Sequence, residues 1–121
     1  MMAKEIKPIG GYYELEARFG KEYHADLLKL NSSRNSLEYV LNYRGYKKIY
    51  LPYYTCEVLL HPIKKLGVDY EFYRIDENLE PILPQGLGVH DVVLLTNYFG
   101  IKNHLLSQIE ETKFNVIFDN S

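Results

Sequence analysis

Apolar positions recur along the chain in two alternating rhythms, one helical and one extended. Leu37, Val40 and Leu41 lie three and four residues apart, the spacing of one helical face, and Gly45 is a natural stop, so the pattern predicts a helix over residues 34–44. Asn35 with Glu38 three residues on reads as a capping box, with Ser32 or Ser33 as the alternative cap. The run Lys48-Ile49-Tyr50-Leu51, closed by Pro52, predicts a strand over residues 48–51. Cys56, Leu59, Leu60, Ile63 and Leu66 then form one apolar stripe, ended by Gly67, which predicts a helix over residues 55–66. Pro62 falls inside that stripe and is expected to kink or split it.

Residues 69–73 read as a second strand. Residues 74–90 hold two prolines and two glycines and read as a connecting loop. Val92-Val93-Leu94-Leu95-Thr96 is the clearest strand of the chain, because a continuous apolar run suits a strand buried on both faces, as in a parallel sheet. Leu105, Leu106 and Ile109 predict a helix over residues 102–112, and Val116-Ile117-Phe118, ending at Asp119, predicts a last strand over residues 115–118. Strands alternating with helices indicate an α/β fold with a mainly parallel sheet. Residues 1–30 carry the weakest pattern; within them Tyr12-Tyr13-Glu14-Leu15-Glu16 reads as a short strand. There is no internal repeat and no low-complexity stretch. Few helices are available to cover the sheet, and the chain stops just after its last strand, so it reads as a piece of a larger domain.

Composition narrows the function classes. With 46% hydrophobic and 25% charged residues among 121, the chain has the make-up of an ordinary globular domain. A formal net charge of −2, with no basic run longer than the pairs Lys47-Lys48 and Lys64-Lys65, gives no footprint for nucleic acid or an anionic membrane. No stretch approaches the roughly 20 apolar residues of a membrane span, and Met1 to Gly11 lacks the apolar core of a signal peptide. Cys56 is the only cysteine, so no internal disulfide forms, which fits a reducing cytoplasm. His24, His61, His90 and His104 are scattered and offer no metal-ligand spacing. Twelve tyrosines without a tryptophan, two pairs of them adjacent (Tyr12-Tyr13 and Tyr53-Tyr54), suit a pocket wall or an interface as well as ordinary packing.

Three segments carry candidate chemistry, because ligands of open α/β sheets bind at the carboxyl ends of strands and at helix amino termini. Asn31-Ser32-Ser33-Arg34-Asn35-Ser36-Leu37 offers free helix-start amides, hydroxyls and a guanidinium, which suit a phosphate; a plain helix cap with an exposed arginine is the alternative. Pro52-Tyr53-Tyr54-Thr55-Cys56 stands where a strand turns into a helix, so its side chains can face a ligand; Pro52 as a strand stop, Thr55 as a helix cap and Cys56 as a small buried hydrophobe is the plainer alternative. Asp119, just beyond an apolar strand, is sited to pair with a positive ring nitrogen or a metal, or to cap a helix. No Walker glycine loop, dinucleotide fingerprint or nucleophile elbow is present.

In this order and spacing, from about Asn31 to Ser121, the segments resemble the amino-terminal half of the large domain of the DegT/DnrJ family of sugar aminotransferases, which are fold-type-I enzymes dependent on pyridoxal 5′-phosphate. Ser32-Ser33-Arg34-Asn35-Ser36-Leu37 is similar to the family's phosphate-binding turn, with Ser33 in place of glycine and Arg34 in place of threonine or serine. Leu51-Pro52-Tyr53-Tyr54-Thr55-Cys56 resembles the strand end that precedes a ring-stacking aromatic; Cys56 takes the aromatic's position, which passes the stacking role to Tyr53 or Tyr54. Leu95-Thr96-Asn97-Tyr98-Phe99-Gly100 resembles the strand ending in an aromatic and a glycine. Val116-Ile117-Phe118-Asp119-Asn120-Ser121 resembles the strand whose aspartate pairs with the pyridinium nitrogen, with Phe118 in place of a glutamate.

The resemblance implies a three-layer α/β/α large domain, with residues 1–30 as an amino-terminal segment and residues 31–121 as the truncated amino-terminal part of that domain. It implies Ser33, Arg34, Tyr54, Cys56 and Asp119 as cofactor-binding residues and no metal. It also implies a keto-sugar acceptor, nucleotide-linked in the family, an amino-acid donor, and a cytoplasmic homodimer. The family's Schiff-base lysine would lie beyond Ser121, so the chain alone is expected to be inactive. Another pyridoxal-phosphate chemistry on the same fold, such as sugar dehydration, and a non-enzymatic α/β interaction module are the alternatives.

Overall fold

The computed structural model describes residues 20–22, 24–109 and 111–120. The strand expected at Tyr12–Glu16 lies outside them. The first helix, α1 (Ser33–Arg44), is capped by Ser32, which has an extended backbone and whose side-chain oxygen accepts the Asn35 amide at 3.3 Å. Ser32 rather than Asn35 is therefore the cap; Asn35 sits inside the first turn, and its side-chain amide donates to Asn31. Gly45 ends the helix with a left-handed backbone (φ 65°), the conformation that glycine adopts without a Cβ penalty.

β1 (Lys48–Pro52) follows, then a 3₁₀ turn (Glu57–Leu59) and α2 (Leu60–Leu66). The helix expected over residues 55–66 is thus divided. Pro62 is the third residue of α2, in the first turn, where an amide has no acceptor within the helix, so the ring is tolerated there and the helical start shifts to Leu60. β2 (Asp69–Ile75) runs two residues further than the pattern predicted. The supposed loop that follows contains a two-residue strand, β3 (Pro81–Ile82), paired antiparallel to β2 at Arg74↔Ile82 and Ile75↔Pro81. A proline is accommodated there because an edge strand leaves one side without a ladder. β4 (Asp91–Thr96) and β5 (Asn115–Asp119) stand as the apolar runs predicted. The helix between them, α3 (His104–Ile109), is shorter than the expected 102–112.

The strands form one sheet in the order β3-β2-β1-β4-β5, parallel except for β3, so the chain is a mixed α/β fold with a mostly parallel sheet. Alternation sends Ile49, Leu51, Val92, Leu94 and Ile117 to one face, where they pack with Leu37 and Leu41 of α1 and Ile63 of α2. Tyr50, Tyr73, Val93 and Leu95 point to the opposite face, with Ile109 of α3 and Phe114 against them. Lys102, just before α3, is buried; its ammonium donates to Asn78 O and meets Glu80 Oε1 at 2.6 Å, which ties the β2–β3 connection to the start of α3.

That tie has a consequence for acid stability. The Lys102 ammonium holds the Glu80 carboxyl below its ordinary range, with a smaller contribution from His104. A depressed carboxyl stabilises the fold above its unfolded value of about 4.3 and loses that contribution as pH falls through the depressed value. We expect Glu80→Gln to flatten the decline in stability below about pH 4 by no more than ~1 kcal/mol, because Glu80 is partly exposed and screened. Urea midpoints measured at neutral pH and at pH 3 check this; an unchanged acid decline refutes it.

Candidate functional site

Two features of the sheet open a crevice. β1 leads through α2 to β2 on one side, while β4 lies on the other side of β1 and leads outward to β5. The direction of winding therefore reverses between β1 and β4, the place where open α/β sheets bind ligands beyond their strand ends. The seam between these strands is also cut short. β1 pairs with β2 through Pro52↔Tyr73, but with β4 only from Lys48↔Asp91 to Tyr50↔Val93. At that register the next amide due across the seam is that of residue 52, donating to Leu94 O. Pro52 has no N–H. The hydroxyl of buried Tyr73 donates to Leu94 O instead, at 2.7 Å.

Beyond the shortened seam lies a cavity of about 660 Å³. Ser33 and Arg34 from the start of α1, Tyr54 and Cys56 from the turn after β1, and Asp119 from the end of β5 all line it. The structure thus brings together the five residues that the sequence singled out from three separate segments. Tyr53 is not among the lining residues; its ring stacks on Phe72 at 5.2 Å. The first-turn amides of Ser33 and Arg34 have no helical acceptor, and α1 has no acidic residue in its first turn, so this corner of the cavity is electropositive. Asp119 supplies a carboxylate to the same cavity. A second, largely apolar groove between α1 and β5 adjoins it, sharing Ser33, Leu59 and Asp119.

The end of β4 contributes residues that sequence reasoning did not select: Thr96, Asn97, Tyr98 and Phe99 also line the cavity. Asn97 is buried and every polar atom of its side chain is used. Its Oδ1 accepts from Lys102 N at 2.7 Å, and its Nδ2 donates to Asn103 Oδ1 at 2.9 Å and to Asn120 Oδ1 at 2.5 Å. Its backbone amide donates to Asp119 O at 2.8 Å. One asparagine therefore fixes the turn after β4 to the end of β5. Tyr98 stacks on Tyr54 with ring centroids 5.3 Å apart, and its hydroxyl donates to Tyr54 O at 2.6 Å, bracing the two turns across the crevice. Burial raises the Tyr98 phenol above its ordinary value. The Thr96 hydroxyl is buried and makes no well-formed hydrogen bond with a described residue, though it lies close enough to the Tyr98 phenol to oppose part of that effect.

No lysine lines this cavity, and the described residues hold no cluster of three or more potential metal ligands. None of their helices is long and apolar enough to cross a membrane. Comparison with known proteins finds no matching family model, no matching curated protein and no matching solved structure.

Proposed function

We propose that this chain forms the cofactor-facing part of a fold-type-I, pyridoxal-phosphate-dependent aminotransferase of the DegT/DnrJ kind, within a three-layer large domain. The observation that carries the reading is the meeting of Ser33, Arg34, Tyr54, Cys56 and Asp119 in one cavity at the winding reversal of a mostly parallel sheet. The donor set fits the cofactor's two charged ends. First-turn amides, the Ser33 hydroxyl and the Arg34 guanidinium suit a phosphate dianion, and a carboxylate at Asp119 suits a protonated ring nitrogen. When bound, the cofactor supplies an electron sink for loss of a proton from the carbon bearing the transferred amino group. Asp119 would keep the ring nitrogen charged, Arg34 and Ser33 would anchor the phosphate, and the Tyr54–Tyr98 pair would wall off water. The keto-sugar acceptor, the amino-acid donor and a homodimeric assembly rest on the sequence resemblance alone.

Titration of the protein with pyridoxal phosphate, followed by borohydride reduction and peptide mapping, tests this. Arg34→Ala and Asp119→Asn are each expected to weaken binding about tenfold, the loss of one charge-assisted contact. Since no lysine lines the cavity, reduction should label no single lysine stoichiometrically. Affinity untouched by both substitutions, or one lysine among these residues labelled in full, refutes the reading.

A further inference from the structure

Three aromatic side chains line the cavity, and two of them are already committed. Tyr54 and Tyr98 stack on each other and are joined by the hydrogen bond from the Tyr98 hydroxyl. Phe99 stands apart. Its ring makes no ring contact with any described residue, and the residue is 75% exposed. Its backbone is left-handed, at φ 56°, a conformation that costs a residue bearing a Cβ and that glycine adopts freely. Gly100 beside it is also left-handed, at φ 71°. The bond from Lys102 N to Asn97 Oδ1 closes the turn around both, so Phe99 is held in this posture by the buried asparagine rather than by its own preference.

Neither burial nor backbone energy favours a phenyl group here; glycine would relieve the strain and remove an exposed hydrophobe together. Strain of this kind persists where surrounding structure imposes it, and it gathers at sites that handle ligands. We propose that Phe99 is the ligand-stacking residue of the cavity: its open face receives a planar aromatic ring that carries a phosphate group, with the phosphate at the Ser33–Arg34 helix start. The cofactor reading above supplies only the identity of that ring; the stacking rests on the geometry of Phe99.

The full chain, titrated with phenyl phosphate, glycerol phosphate and pyridoxamine phosphate, tests this by calorimetry. Phenyl phosphate is expected to bind about tenfold more tightly than glycerol phosphate, in keeping with one aromatic stacking contact. Phe99→Leu, which keeps the bulk and the strained backbone, should remove that preference and leave the thermal midpoint in place, and Phe99→Tyr should keep it. Phe99→Gly should remove the preference yet raise the thermal midpoint by several degrees, since the strain leaves with the Cβ. Opposite movements of affinity and stability are what a structural phenylalanine cannot produce. The proposal is overturned if phenyl phosphate shows no preference over glycerol phosphate, if Phe99→Leu keeps the preference, or if Phe99→Gly lowers the midpoint. Preference for phenyl phosphate without binding of pyridoxamine phosphate would leave the stacking role standing and remove the cofactor reading.

Discussion

Replacing Asn97 by alanine is expected to destabilise the chain by about 2–4 kcal/mol, because a buried donor and two amide oxygens lose their partners together. The Lys102 amide is the costly loss. It sits on a buried residue, and Asn97 Oδ1 is its acceptor, whereas Asn103 and Asn120 are exposed enough for water to replace their share. Asn97→Asp separates the contributions: it keeps the acceptor for Lys102 N and loses both donors, while placing negative charge beside two carbonyl oxygens. A urea midpoint that drops with an unchanged slope reports a loss of stability rather than a change in the unfolded chain. If Asn97→Ala shifts the midpoint by less than a surface substitution does, about 0.5 kcal/mol, the asparagine does not hold the two turns together.

The second large effect lies at high pH. Burial raises the Tyr73 phenol well above its ordinary value near 10, with the Tyr98 phenol a lesser cause. A group whose folded value is raised contributes fully below its unfolded value and loses that contribution as pH climbs towards the folded one. Above about pH 10 the unfolded chain therefore releases a proton that the folded chain keeps, and stability is expected to fall by about 1.4 kcal/mol for each further pH unit on this account. Tyr73→Phe should flatten that decline while lowering stability at neutral pH by about 1–3 kcal/mol, the cost of leaving the buried Leu94 carbonyl without a donor. Denaturant unfolding at pH 7, 10 and 11 gives both numbers. An alkaline decline that persists in Tyr73→Phe would assign the effect to the other groups held above their ordinary values, Tyr98 by burial and Lys48 by its bond to Glu71.

Much of the fold was legible because it follows from periodicity. Leu37 and Leu41 marked the buried face of α1, Gly45 marked its end, and the unbroken apolar run at Val92–Leu95 marked a strand covered on both faces. The cavity's five expected residues were legible for a related reason: each stands at a strand end or helix start, and those places converge in a parallel sheet. What periodicity could not carry is side-chain pairing between distant segments. Asn97 reads as an ordinary turn residue until Asn120, 23 positions away, comes within reach of its amide. β3 is too short to show alternation, and its antiparallel pairing depends on β2 running past the point where its apolar signal fades. Phe99 was seen only as part of a motif, since its left-handed backbone is set by the closure of the loop from Asn97 to Lys102.

The missing amide at Pro52 bears on the entropy of binding. A cleft kept open by loosely packed side chains can collapse when empty, and a ligand must then reopen it. Here the seam between β1 and β4 is interrupted by an imino acid and sealed from behind by the Tyr73 hydroxyl, so its opening is part of the covalent chain. A ligand entering beyond these strand ends meets a mouth that is pre-organised and loses little affinity to reshaping the sheet. A variant with an ordinary residue at position 52 regains the donor for Leu94 O, leaving that carbonyl to be shared between the ladder and the phenol. Affinity would then become a measure of how far the empty seam closes.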